Sequence, residues 1–195
     1  MTIPNQLTIT RIVLTPFFAF FFLSNNKILN QISLFIFIIA ALTDWYDGWL
    51  ARKFNYISNL GKFLDPLADK ILTSTAFLCF VALGILELWM VLIIVIRDIL
   101  VTLLRVYGQY KGHILAASFL AKVKTIIQMF FLYYLLLVYI GLEKELFSFI
   151  DKNYLKYLLH VDLINVLMYL ITLITVYTGI TYYYNNRYTI KEIFK

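Results

Sequence analysis

Long apolar runs separated by short polar stretches recur along the chain, each close to the roughly 20 residues that a helix needs to cross a bilayer. They fall at 8–24, 29–50, 66–84, 88–107, 123–142 and 160–184. Backbone groups in lipid must be paired within their own segment, so runs of this length predict helices. The expected fold class is an all-α polytopic membrane protein with six transmembrane helices and a short N-terminal interfacial segment, where Pro4, Asn5, Thr8 and Arg11 form a polar face. Asn25, Asn26 and Lys27 make one tight turn and 84–87 another, whereas 51–65 and 108–122 are longer and basic. With no internal repeat or composition break, 1–195 reads as a single domain.

Composition supports this class. The chain is 62% hydrophobic and 14% charged, with a mean hydropathy of +0.82, more apolar surface than a soluble domain of this length hides. The net charge of +6 is spread along the sequence rather than gathered into a basic patch, which argues against a nucleic-acid partner. In a membrane protein the positive residues report orientation instead. With the N-terminus in the cytoplasm, only Lys27, Lys144, Lys152 and Lys156 fall outside, and every other Lys and Arg except Arg97 falls inside or at the inner edge. Both termini are therefore expected to face the cytoplasm. No small-residue cleavage site follows the first run, which reads as a retained span. The loop 143–156 is expected to form a short amphipathic segment at the outer surface. The lone Cys79 lies in an apolar run and reads as a packed thiol, and His113 and His160 show no metal-ligand spacing.

Against this background the acids of 44–69 stand out. Asp44 and Asp47 are spaced i, i+3, and Asp65 and Asp69 i, i+4, so each pair can project from one helix face. Gly48 and Ala51 share the first face and leave room beside the acids, and Arg52 follows at once. Asp65 before Pro66 reads as the N-cap and first residue of the third helix. In the expected topology, the second helix descends and the third ascends at the same membrane depth, so both pairs meet at the cytoplasmic edge. Four close carboxylates cannot all ionise without cations between them. Oxygen-only ligands suit Mg²⁺ or Mn²⁺, and two such ions make a clamp for phosphoryl chemistry. Three acids acting as ligands leave a fourth to take a proton from an attacking hydroxyl. Ion pairing with Arg52 and Lys70 accounts for one or two of the acids, but not for the small residues beside them.

A second set of charges lies further on. Arg97 and Asp98 sit deep in an apolar run, where ionisable residues are costly and face a cavity or a partner. Being adjacent, they are expected to point apart, each toward a partner on another helix or toward water. Arg105, Lys122 and Lys124 fall on the same side as the carboxylates, and with Arg97 they would form a basic pocket for a second anion. A structural ion pair remains open for Arg97 and Arg105, and simple positive-inside anchoring for Lys122 and Lys124.

The pattern D-x2-D-G-x2-A-R-x8-G-x3-D-x3-D, complete here as Asp44, Asp47, Gly48, Ala51, Arg52, Gly61, Asp65 and Asp69, resembles the signature of the CDP-alcohol phosphatidyltransferases. PNQLTITR, TDWYDGWLARKFN, GKFLDPLADK, IRDILVTLLR and AKVKTIIQM resemble most the bacterial members that use glycerol 3-phosphate. These blocks cover about the first 130 residues, while the last third is similar only in being hydrophobic. The resemblance implies six transmembrane helices, a homodimer in the bacterial cytoplasmic membrane, and an active site on the cytoplasmic side. It implies two divalent cations, Mg²⁺ or Mn²⁺, on Asp44, Asp47, Asp65 and Asp69, with Asp69 also the general base. Gly48, Ala51, Arg52 and Gly61, with Asn5 and Thr8 nearby, would form the pocket for the CDP moiety. The implied reaction transfers a phosphatidyl group from CDP-diacylglycerol to sn-glycerol 3-phosphate and releases CMP. Arg97, Arg105, Lys122 and Lys124 are the candidates for the acceptor phosphate. Inositol phosphate, serine or phosphatidylglycerol, the last as in a cardiolipin synthase, are alternative acceptors, and a divalent-cation transporter is a reading of another class.

Overall fold

Six long helices make up nearly all of the computed structural model among its described residues: α1 (Ile3–Phe22), α2 (Lys27–Phe54), α3 (Asn59–Ala82), α4 (Leu88–Tyr110), α5 (Phe119–Glu143) and α6 (Val161–Ile193). The structure describes residues 3–54, 59–113, 115–116, 118–143 and 157–193, with the backbone alone at 3–5, 44–54, 59–63 and 143. The expected outer segment therefore lies almost wholly outside the described residues.

Helix ends and apolar-run ends do not coincide. α1 begins at Ile3, so the polar positions near Asn5, Thr8 and Arg11 are the first turns of the same helix. The separate N-terminal segment expected from the sequence is not seen among the described residues. α3 begins at Asn59, which puts Pro66 inside the helix and removes Asp65 from the expected N-cap position. Hydrophobicity marks where lipid begins, whereas a helix ends where its backbone hydrogen bonds end, and polar turns carry it beyond the apolar run. For the same reason α4 and α5 take up most of the expected 108–122 connection.

The turns have local causes. Asn26 Oδ1 accepts from the Ile28 amide at 2.9 Å and caps α2. After α3, Gly84 adopts φ +70°, the Ile85 amide donates to Phe80 O at 3.0 Å, and the Gly84 amide to Val81 O at 2.9 Å. This closing pattern needs a left-handed residue, which glycine supplies without strain. Gly112, at φ +81°, ends α4 in the same way, with His113 N donating to Gly108 O at 2.8 Å.

Among the described residues, two helices, Phe119–Leu142 and Val161–Ile193, are long and apolar enough to cross a membrane by length and composition, and two shorter apolar helical stretches run over Gln6–Phe22 and Lys27–Thr43. Large apolar side chains face outward along α6, with Leu173 64% exposed, while Thr172, Thr175 and Thr178 are buried. Their hydroxyls donate to the carbonyls of Met168, Ile171 and Ile174 at 2.7–2.8 Å. Small polar residues inside and bulky apolar ones outside suit a helix in lipid, where close packing rather than water exclusion joins helices.

α1 packs against α2 and α3, α3 against α4 and α5, and α6 against α4 and α5. The main apolar core occupies one half of this bundle, toward the ends of α1, α3 and α5 and the starts of α2, α4 and α6. Phe22 meets Phe80 edge-on at 5.2 Å and Tyr139 at 5.4 Å between ring centroids. The opposite half holds the buried polar side chains Thr8, Arg11, Asp98, Lys124 and Gln128.

Candidate active site

The polar half is built from the first turns of α1, the start of α3, the later turns of α4 and the start of α5. Thr8 on α1 is fully buried, and its Oγ1 donates to Asp65 Oδ1 on α3. One turn further along α3, Asp69 Oδ2 pairs with Lys70 Nζ at 3.1 Å, while the Asp69 side chain remains 33% exposed. The Asp69 carbonyl also accepts from Thr73 Oγ1 at 3.0 Å. Asp65 and Asp69 thus stand on one helix face, with Asp65 anchored to α1 and Asp69 open to a cavity.

That cavity, of about 430 Å³, lies between α3, α4 and α5 and is within the size range of small-molecule sites. Four cations reach it, Lys70, Arg97, Arg105 and Lys122, along with the two carboxylates of Asp69 and Asp98. The neutral polar groups of Thr102, Gln109 and Thr125 complete a lining able to hold a small polar anion. The Nε atoms of Arg97 and Arg105 are buried without a hydrogen-bond partner. A small cavity ringed by four cations suits an oxyanion, since charge-assisted hydrogen bonds from Arg and Lys are the strong ones.

Of the four basic residues expected to share an anion pocket, Arg97, Arg105 and Lys122 line this space. Lys124 does not. It is buried behind the lining, 1% exposed, with Nζ 2.6 Å from Asp98 Oδ1. Arg97 and Asp98 depart from expectation as well: Arg97 Nη1 lies 3.0 Å from the same Asp98 oxygen. Adjacent Cβ atoms diverge on a helix, but the long arginine side chain folds back far enough to close the pair. Asp98 does find its other partner on a different helix, as expected, and that partner is Lys124.

Two residues of α6 were not anticipated. Thr178 Oγ1 lies 3.2 Å from Arg97 Nη2, and Gly179 leaves space that Arg97 fills, since a Cβ there would come within 3.2 Å of Arg97 Cγ. A glycine one position after a threonine in a helix with large outward residues was the available signal. It carried meaning only once α6 was known to pack on α4.

The side chains of Asn5, Asp44, Asp47, Gly48, Ala51, Arg52 and Gly61 lie outside the described residues. The backbone places 44–52 within α2 and Gly61 near the start of α3. Since α1 packs on both α2 and α3, the two acid-bearing helices share a common neighbour. The described donors fit a hard divalent cation: Asp65 and Asp69 offer carboxylate oxygens one turn apart, and neither Cys nor His is near them in sequence.

Comparison with known proteins gives a consistent picture. The family model for CDP-alcohol phosphatidyltransferase matches residues 1–178. A Bacillus subtilis (strain 168) protein named CDP-diacylglycerol–glycerol-3-phosphate 3-phosphatidyltransferase is 38% identical over 161 residues, covering 76% of this chain and 83% of its own length. The Salmonella typhimurium (strain LT2) protein of that name is 39% identical over 139 residues, covering 69% of this chain and 76% of its own. One from Rickettsia bellii is 30% identical over 182 residues, 93% of each chain.

Proposed function

This chain belongs to the CDP-alcohol phosphatidyltransferase family, and from that premise we propose that it transfers the phosphatidyl group of CDP-diacylglycerol to sn-glycerol 3-phosphate. The products are phosphatidylglycerophosphate and CMP. The names of its relatives support both substrates. The observation that carries the reading is the basic cavity opening beside Asp69, because it supplies a place for a phosphorylated acceptor next to a carboxylate able to take its proton.

The work of the residues follows from their chemistry. Asp44, Asp47, Asp65 and Asp69 are the proposed ligands of two divalent cations, Mg²⁺ or Mn²⁺. When bound, such ions neutralise charge on the diphosphate and on the departing CMP. Thr8 holds Asp65 in place by donating to it. Gly48, Ala51, Arg52 and Gly61, with Asn5, form the proposed cytidine-diphosphate pocket. Arg97, Arg105 and Lys122 hold the acceptor phosphate, which sets the free primary hydroxyl toward Asp69. Asp69 takes the hydroxyl proton as the oxygen attacks the phosphorus that carries diacylglycerol, and the bond from that phosphorus to the oxygen shared with CMP breaks. Preset cations and a held acceptor remove most of the orientational cost of bringing two substrates together.

All six helices are proposed to span the membrane, with both termini and the cavity at the cytoplasmic face of a bacterial inner membrane. A soluble acceptor and a lipid donor meet at that depth. A homodimer of single-domain chains completes the proposed assembly.

The test is turnover by the purified protein in detergent with Mg²⁺ or Mn²⁺, CDP-diacylglycerol and labelled glycerol 3-phosphate. Release of CMP with the label in lipid is expected, and unlabelled serine or inositol phosphate in excess should compete weakly. Label in lipid abolished by one of those competitors would assign another acceptor, and no CMP release with any acceptor would end the reading.

A further inference from the structure

Lys124 lies beside the cavity without lining it, and its buried Nζ bonds to Asp98, which does line it. Both Lys124 Nζ, at 2.6 Å, and Arg97 Nη1, at 3.0 Å, approach the same Asp98 oxygen. The side chains of Lys124 and Asp98 are 1% and 5% exposed, that of Arg97 14%. Without Lys124, the buried carboxylate would be left with Arg97 in contact and Lys70 nearby, and the Arg97 guanidinium would be drawn further onto it. On the far side, Arg97 is held by Thr178 Oγ1 and seated against Gly179. The lining groups facing this cluster from the other helices are Asp69 and Lys70 on α3 and Lys122 on α5, with Arg105 two turns along α4.

We propose that Lys124 and Asp98 are positioning residues: Lys124 neutralises Asp98 from behind, so that Asp98 and α6 orient Arg97 while leaving its positive charge free for an oxyanion in the cavity. Asp98 steers one edge of the guanidinium, Thr178 another, and Lys124 keeps the steering group from cancelling the charge it steers. Lys124 thus serves the anion without touching it. The inference rests on the cavity being the acceptor site, but its test does not need the acceptor to be glycerol 3-phosphate.

The decisive variant is the full-length double substitution Asp98→Asn with Lys124→Met, compared with Lys124→Met alone and the unaltered protein. Inorganic phosphate binding is read by titration calorimetry in detergent, and KM and kcat are read separately for each substrate. Breaking a buried pair by removing one partner leaves an uncompensated charge, whereas replacing both partners is tolerated. Lys124→Met should therefore weaken phosphate binding on the order of tenfold and raise the acceptor KM alike, with the CDP-diacylglycerol KM little changed. The double variant should recover to within about threefold of the unaltered protein, since Asn keeps an oxygen for Arg97 and no charge needs cancelling. A double variant as impaired as Lys124→Met, or more so, overturns the proposal and makes Lys124 a direct anion ligand. If Lys124→Met cannot be purified, the double variant decides alone: near-normal phosphate affinity supports the proposal and a loss of about tenfold or more rejects it. Phosphate binding with this ranking but no turnover with glycerol 3-phosphate would uphold the positioning role and reject the proposed acceptor.

Discussion

The two halves of the bundle are made by opposite means. In one, Phe18, Phe22, Phe37, Phe80 and Leu132 are buried against one another with aromatic contacts and no charge. In the other, Thr8 reaches Asp65, and Lys124, Asp98, Arg97 and Thr178 form a chain of polar contacts across three helices. The apolar half owes its shape to packing, so any side chain of the right volume and greasiness preserves it. The polar half carries costly charges within a membrane bundle, and such charges are retained where they serve substrates or ion paths. The difference teaches where substitutions should separate stability from chemistry.

The sharpest separation comes from Asp69→Asn, which removes the proton acceptor while keeping the side chain's shape. Turnover should fall about a thousandfold, in the range lost with a general base, while CMP binding by calorimetry falls far less. Equal loss of both would assign Asp69 to nucleotide binding instead. Next, Lys122→Gln should raise the acceptor KM on the order of tenfold, because a charge-assisted contact to phosphate is exchanged for a neutral one. Initial-rate kinetics at saturating CDP-diacylglycerol reads this directly.

Phe80→Ala tests the other half. Loss of a fully buried ring should cost about 3–5 kcal/mol of stability, seen as a lowered thermal midpoint in detergent, with both KM values unchanged in the protein that remains folded. A changed acceptor KM would mean that the halves are not separable. The smallest effect is expected from Gly179→Ala, whose Cβ would come within 3.2 Å of Arg97 Cγ. Arg97 needs to shift by only a few tenths of an ångström, so the acceptor KM should rise by about two- to fivefold, a cost below roughly 1 kcal/mol.

The sequence made the apolar half legible in outline and the polar half legible in parts. Among the described residues, the six apolar runs each fall largely within one long helix, in the expected order. Helix ends did not follow from the runs, since α3 extends through polar residues to Asn59 and carries Pro66 within it. Arg105 and Lys122 could be grouped as cations at the polar ends of apolar runs, with Arg97 deeper in the run that carries Arg105, and the three share one cavity. Lys124 has the same sequence signature but lies behind that cavity, because two lysines of one turn of α5 look alike until the position of Asp98 on α4 is known. Thr178 and Gly179 carry no charge, and the one local signal, a glycine after a threonine, meant nothing before the packing of α6 on α4 was known. Pairing between helices is a property of packing, and a single sequence without a partner helix does not display it.

The central claim is that the cavity beside Asp69 holds the acceptor and not the lipid donor. Its most direct measurement is the pair of KM values of Arg105→Gln, taken in one CMP-release assay with each substrate varied in turn. The account predicts an acceptor KM raised on the order of tenfold, with the CDP-diacylglycerol KM within about twofold of the unaltered protein. A raised CDP-diacylglycerol KM with an unchanged acceptor KM would contradict it and give the cavity to the donor.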